Sequence, residues 1–83
     1  MTVPWDEPFE KILREALPLL PADSALRAGT RLSDHGLDSM ATIDTLLRLE
    51  QQYEVSFPDE YLTSETFGTP GSLWAVLSGL RAA

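Results

Sequence analysis

Apolar residues recur at helical spacing in the first part of the chain. Five of them fall at i, i+3, i+4, i+7 and i+8, namely Phe9, Ile12, Leu13, Ala16 and Leu17. This spacing predicts an amphipathic helix with one buried stripe. Asp6 and Glu7 suit its first turn, and Pro18 predicts that the helix ends near Leu17.

The next segment, residues 18–38, is rich in Pro, Gly, Ser, Asp and Thr. That composition predicts a loop, and ordered loops of this length are uncommon unless they have a function. Leu26, Leu32 and Leu37 are spaced apolar positions within it. We expect these leucines to pin the loop to the core.

A second helix is predicted over residues 39–54, with Asp38 or Ser39 able to cap its amino end. Its apolar residues cover roughly half of the circumference at about 100° per residue, which is wider than one buried stripe requires. We interpret one side of this arc as core: Leu46, Leu49 and Tyr53. We interpret the other side as a partly exposed seam that starts beside Ser39, consisting of Met40, Ile43 and Leu47. The alternative is that neighbouring helices bury both sets.

The remaining segments also favour helices. Pro58 suits the first position of a short helix, with Asp59 and Glu60 in its first turn. Thr69 and Pro70 read as the cap and first residue of a last helix, whose apolar residues are Leu73, Trp74, Val76, Leu77 and Leu80. No strand-like alternation occurs. The predicted fold is all-α: a small right-handed bundle of three main helices plus a short third-position helix, with a long loop that lets the first two helices run roughly parallel. Residues 1–83 are expected to form a single domain.

Composition excludes several kinds of protein. The 83 residues contain no cysteine, so a disulfide framework and a thiolate metal site are both impossible. The chain has no apolar run of membrane-spanning length and no secretion signal, which predicts a cytoplasmic protein without a membrane partner. We also expect it to be a monomer. Thirteen acidic and six basic residues give a net charge of −7, which disfavours nucleic acid as a partner. The same charge would attract basic protein surfaces, or it serves only to keep the protein in solution.

Ser39 is the main candidate for chemistry, because a serine at a helix start suits a phosphate-bearing group. His35, Asp38 and Ser39 are the residue types of a hydrolytic triad, but they lie too close together in sequence and lack a nucleophile elbow. Neither zinc-ligand spacing nor a calcium loop is present, and Gly36 has no glycine-rich neighbours to form a nucleotide cradle. His35 is read as a solvent-facing loop residue or as a hydrogen-bond donor to a bound phosphate.

The run from Gly36 to Met40 resembles the attachment motif of acyl and peptidyl carrier proteins, and the runs at 57–60 and 69–73 agree with it. The resemblance spans residues 9–80 and implies a non-catalytic four-helix bundle. It implies that a phosphopantetheinyl transferase attaches 4′-phosphopantetheine from coenzyme A to Ser39, and that the thiol of this arm carries acyl groups as thioesters. Asp38 would help the transferase recognise the site through its magnesium, and Gly36 would allow the close turn.

The resemblance also implies docking residues for partners. Met40, Ile43 and Leu47 would form an apolar docking seam. The acidic contacts for basic partners would be Asp44, Asp59 and Glu60, although the last two also fit a simple solvated face.

Departures from the family patterns bear on the subtype. Ala41, Thr42 and Arg48 reduce the acidity of the second helix, and Gly36-Leu37 precedes the Asp-Ser pair. With little sequence before and after the domain, these features favour a discrete peptidyl or acyl carrier of nonribosomal peptide (antibiotic-type) biosynthesis. Its expected partners are an adenylating enzyme that loads it and condensation, ketosynthase or tailoring enzymes. The alternatives are a polyketide or fatty-acyl carrier, or an acidic helical adaptor without a prosthetic group.

Overall fold

The computed structural model describes residues 4–21 and 23–82, and every regular element within them is helical. Three α-helices occur: α1 (Glu7–Ala16), α2 (Ser39–Tyr53) and α3 (Pro70–Ala82). Two short 3₁₀ helices, Leu32–His35 and Asp59–Tyr61, lie between them. The all-α prediction is therefore confirmed. None of the helices in the described residues is long and apolar enough to cross a membrane.

The expectation of a four-helix bundle was wrong for the described part of the chain. The third-position element is a 3₁₀ helix of three residues, Asp59–Tyr61. Its N–H groups bond three residues back, from Tyr61 to the Pro58 carbonyl at 2.9 Å and from Leu62 to the Asp59 carbonyl at 3.0 Å. Pro58 is extended before it and Leu62 leaves the helical region after it, so the segment is too short for α-helical bonding.

The start and end of α1 follow from its sequence. Asp6 caps it, since its Oδ1 accepts a hydrogen bond from the Phe9 N–H at 3.2 Å. Leu17, which precedes Pro18, has left the helical region at φ −117° and ψ 78°. Phe9, Ile12, Leu13 and Leu17 of the predicted stripe are buried, and Ala16 is partly buried against the same core.

The helices α1 and α2 run antiparallel, so the prediction of a roughly parallel pair was wrong. Asp6 before α1 accepts a hydrogen bond from the Tyr53 hydroxyl at the end of α2. Near the other end of α1, Glu15 pairs with Arg48 at 2.8 Å. Because α1 and α2 are antiparallel, the loop between them need not cross the length of the bundle. It folds back on itself instead, and the Leu19 N–H donates a hydrogen bond to the His35 carbonyl at 3.0 Å.

The long loop is anchored as expected, with Leu26, Leu32 and Leu37 all buried. Two backbone hydrogen bonds of 3.0 Å add to this: Leu32 N–H donates to the Gly68 carbonyl, and Gly71 N–H donates to the Ala28 carbonyl. A Cβ at Gly71 would lie 2.9 Å from the Ala28 oxygen, so a glycine is what allows α3 to approach the loop. The loop is thereby fixed against the start of α3.

The core-facing side of α2 is narrower than predicted. Leu49 is fully buried, whereas Leu46 and Tyr53 are only partly buried. The other fully buried residue of α2 is Thr45, whose hydroxyl donates to the Ala41 carbonyl at 2.7 Å. That bond satisfies the hydroxyl within the helix, which allows a polar residue to face the core.

Candidate functional site

Ser39 is the first residue of α2 and is exposed. Asp38 precedes it in an extended conformation, and its Oδ1 accepts a hydrogen bond from the Ala41 N–H at 2.8 Å. The Asp38 carbonyl accepts from both the N–H and the hydroxyl of Thr42, at 2.9 and 2.7 Å. The N–H groups of Ser39 and Met40 lie in the first turn, where no intrahelical carbonyl can reach them. Together with the positive end of the helix dipole, they favour an anionic group at the Ser39 hydroxyl.

Gly36 sets the path of the chain into this site. It ends the first 3₁₀ helix with φ 102° and ψ 10°, in the left-handed region that favours glycine. A Cβ there would also lie 3.0 Å from Cγ of Pro18. The left-handed backbone conformation therefore favours a glycine three residues before Ser39, and the close Pro18 ring adds to this preference.

Within the described residues, no group of three or more His, Asp or Glu side chains is placed to hold a metal ion. His35 is half-buried, and its backbone carbonyl is engaged by the Leu19 N–H.

The three residues of the seam are exposed along one side of α2. Met40 is 80% exposed, Ile43 59% and Leu47 51%. The alternative in which neighbouring helices bury both sides of the helix was therefore wrong. An apolar strip that begins one residue after Ser39 is available to a partner.

The acidic candidates for partner contacts differ in whether they form ion pairs. Asp44 forms an ion pair with Arg48 at 3.0 Å, and the same guanidinium bonds Glu15 at 2.8 Å. Asp59 and Glu60 are exposed on the second 3₁₀ helix, and neither forms an ion pair within the described residues. Arg48 was expected to reduce the acidity of this helix, but its specific pairing with Asp44 was not predicted, although their i,i+4 spacing was a visible signal.

A groove of about 490 Å³ adjoins Ser39. It is lined by residues of the loop, of α2 and of the segment before α3: Ser33, Leu37, Asp38, Ser39, Thr42, Ile43, Leu46, Leu62, Thr63, Ser64, Phe67 and Gly68. Leu62 and Phe67 were not predicted to lie at the site, because no local sequence pattern shows that residues so distant in sequence meet α2. A larger open cleft of about 940 Å³ lies against α1, between Trp5 and Gln52, and contains none of the candidate residues.

Comparison with known families decides what this kind of site is for. A family model described as "Phosphopantetheine attachment site" matches residues 7–77. The chain belongs to this family. Phosphopantetheine-binding domains carry 4′-phosphopantetheine covalently on a serine and are non-catalytic tethers. They are modified by phosphopantetheinyl transferases and interact with biosynthetic enzymes. The resemblance drawn from the sequence is thus confirmed at the level of the family.

Proposed function

We propose that residues 1–83 act as one carrier domain, with 4′-phosphopantetheine on Ser39 holding an acyl or aminoacyl group as a thioester. The observation that carries this proposal is the position of Ser39 as the exposed first residue of α2, inside the region matched by the family. Within the described residues, no other serine begins an α-helix. The arm, when attached, supplies the thiol that a chain without cysteine lacks.

The residues around Ser39 fit such a group. First-turn N–H groups stabilise the negative charge of a phosphodiester. The capping bond from Ala41 N–H to Asp38 fixes the helix start, so the hydroxyl is presented in one place. The groove beside Ser39 has apolar side chains from Leu37, Leu46 and Phe67, and it gives the arm or its cargo a place to lie.

The subtype we favour is a discrete carrier in nonribosomal peptide biosynthesis, loaded by a separate adenylating enzyme. The weak acidity of the α2 surface supports this choice, because Asp44 is paired with Arg48 while the apolar seam on the same helix is exposed. Offering the phosphopantetheinylated protein both aminoacyl-adenylating enzymes and acyl-coenzyme A donors tests the choice. Acylation only from coenzyme A thioesters would instead favour a polyketide or fatty-acyl carrier.

Mass spectrometry of the intact protein tests the attachment itself. After incubation with coenzyme A, magnesium and a promiscuous phosphopantetheinyl transferase, the protein should gain the mass of one phosphopantetheine. Ser39→Ala should gain none. Ser33→Ala is the matched control, since Ser33 is exposed and lines the same groove, and it should load like the wild type.

Two results would contradict the proposal. A mass gain in Ser39→Ala would move the attachment to another residue. A folded wild-type protein that gains no mass would favour the adaptor without a prosthetic group.

A further inference from the structure

The groove of about 490 Å³ combines buried and exposed apolar side chains. Leu37 and Phe67 belong to its lining and are buried, at 9% and 6% exposure. Leu46 also lines it, is half-buried and packs against the core. Two further apolar residues of the lining, Ile43 and Leu62, are exposed. An apolar group that enters the groove therefore covers apolar surface that is otherwise in contact with water, which is favourable.

The threonine hydroxyl groups of the groove are engaged within the protein. Thr42 Oγ1 donates to the Asp38 carbonyl at 2.7 Å. Thr63 Oγ1 donates to Thr66 Oγ1 at 3.2 Å and accepts the Thr66 N–H at the same distance. A carboxylate needs hydrogen-bond donors, and each of these two O–H groups already donates to another atom of the chain. The groove thus offers an entering anion little compensation for its lost water.

The only charged side chain in the lining of this groove is acidic. The described residues that line it include Asp38 but no lysine, arginine or histidine. Asp38 is exposed and directly precedes Ser39, where the arm begins. A carboxylate entering the groove would lose hydration without gaining a cationic partner, and it would meet a like charge. The lining therefore favours uncharged apolar groups over anionic ones.

We propose that the groove binds the apolar side chain of an aminoacyl group carried on the arm and disfavours side chains that bear a carboxylate. This inference rests on the proposed attachment of 4′-phosphopantetheine to Ser39. Because Ser39 is itself part of the lining, the arm begins at the groove and the carried group is tethered to it. Tethering raises the effective concentration of that group, so a weak preference is sufficient. The substrate class is thus amino acids with aliphatic or aromatic side chains.

Three aminoacyl groups separate the side chain from the arm. A promiscuous phosphopantetheinyl transferase loads leucyl-, aspartyl- or glycyl-phosphopantetheine from the corresponding coenzyme A thioesters, with release of adenosine 3′,5′-bisphosphate. No adenylating enzyme takes part. The leucyl and aspartyl side chains have nearly the same shape and differ in charge, whereas the glycyl group reports the arm alone.

Spontaneous hydrolysis of the thioester is the first readout. Water adds to the carbonyl carbon, the C–S bond breaks, and the amino acid and the free thiol are released, which intact mass detects. Each rate is divided by that of the same thioester of free pantetheine, which removes differences in intrinsic reactivity. On this scale the leucyl thioester should hydrolyse about fivefold more slowly than the glycyl thioester, because the groove partly buries its side chain. The aspartyl thioester should show no such protection.

Amide chemical shifts measured by NMR are the second readout and need no reaction of the loaded group. The signals of Leu46 and Phe67 should move when leucyl replaces glycyl on the arm, since both residues line the groove. Replacement of glycyl by aspartyl should leave them in place.

Ser64→Arg tests the dependence on charge. Ser64 is exposed and lines the groove, so an arginine there supplies the cation that the lining lacks. A guanidinium group pairs well with a carboxylate, so this variant should protect the aspartyl thioester. Ala75→Arg is the matched control, because Ala75 is exposed on α3 outside the groove lining. It adds the same charge and should leave the aspartyl thioester unprotected.

The outcomes separate this inference from the proposed function. Equal protection of the leucyl and aspartyl groups would overturn it, as would a leucyl thioester no slower than the glycyl one, which would leave the groove to the arm alone. Failure of Ser64→Arg to protect the aspartyl group, or equal protection by Ala75→Arg, would also overturn it. In each of these cases the attachment at Ser39 stands, because the protein has been loaded. If the wild type gains no phosphopantetheine at all, the proposed function itself fails.

Discussion

At the scale of single residues, Asp38 has a structural role that is visible in the geometry and a recognition role that is only proposed. Its carboxylate caps α2 through the Ala41 N–H, which places Ser39 at the helix start. The same carboxylate is exposed and adjacent to the serine, so an approaching enzyme also meets its charge. Asparagine caps helices about as well as aspartate but carries no charge, so one substitution can separate the two roles.

We expect Asp38→Ala to lower the free energy of unfolding by about 1 kcal/mol, because the first turn of α2 loses its cap. Asp38→Asn should change the stability by only a few tenths of a kcal/mol, yet should be phosphopantetheinylated more slowly because the charge is gone. Urea unfolding and intact-mass kinetics measure the two effects. Loading of Asp38→Asn at the wild-type rate would leave Asp38 with the capping role alone.

The residues next to Ser39 in sequence could be predicted, whereas those that reach it through the fold could not. Gly36, Asp38 and Ser39 belong to one short motif at a helix start, so their order alone indicates their positions. Leu62 and Phe67 meet the groove through tertiary packing, which leaves no periodic trace in the sequence.

At the scale of elements, α2 has two faces with different tasks. The angular spacing of its apolar residues predicted a buried and an exposed side, and the exposed side is confirmed by Met40, Ile43 and Leu47. Burial of Thr45 could not be predicted, because its hydroxyl is satisfied by a carbonyl of its own helix. The orientation of α1 relative to α2 was also beyond local patterns, since contacts distant in sequence, such as Arg48 with Glu15, determine it.

Substitutions on the exposed face of α2 should affect reactions with partner enzymes, whereas substitutions on its buried face should affect stability. Ile43→Asp is expected to stay within about 0.5 kcal/mol of the wild-type stability, because Ile43 is already exposed, and to slow reactions with partner enzymes. Leu49→Ala removes a fully buried side chain and should cost about 2–5 kcal/mol. Chemical denaturation and acylation rates of the phosphopantetheinylated protein provide the readouts. Unfolding of Ile43→Asp would place that residue in the core instead.

At the scale of the whole molecule, the attachment residue and a polar cluster that joins three helices lie at opposite ends of α2. Ser39 begins this helix and Tyr53 ends it, about 21 Å away for 15 residues. At the Tyr53 end, the hydroxyl donates to Asp6, which caps α1, and the guanidinium carbon of Arg81 lies 4.8 Å from the ring centroid. One cluster thus joins the start of α1 to the ends of α2 and α3.

This cluster predicts a loss of stability at alkaline pH that depends on Tyr53. The pKa of the Tyr53 hydroxyl is raised well above its usual value of 10.0, and burial is the largest cause. The hydrogen bond to Asp6 and the negative charge of Asp6 raise this pKa further. The folded state therefore holds this proton more tightly than the unfolded state. The resulting stabilisation is fully present below pH 10 and is lost as the pH rises through the folded-state pKa.

Tyr53→Phe should remove this part of the alkaline decline and should be less stable than the wild type at neutral pH, because the bond to Asp6 is missing. Tyr61→Phe is the matched control, since Tyr61 is exposed and its substitution should leave the pH profile unchanged. Urea unfolding at a series of pH values from 7 to 11 measures the profiles, and loading at Ser39 should be the same in all three proteins at pH 7. An unaltered alkaline decline in Tyr53→Phe would show that other groups cause it. Slower loading of Tyr53→Phe at pH 7 would mean that the two ends of α2 are coupled.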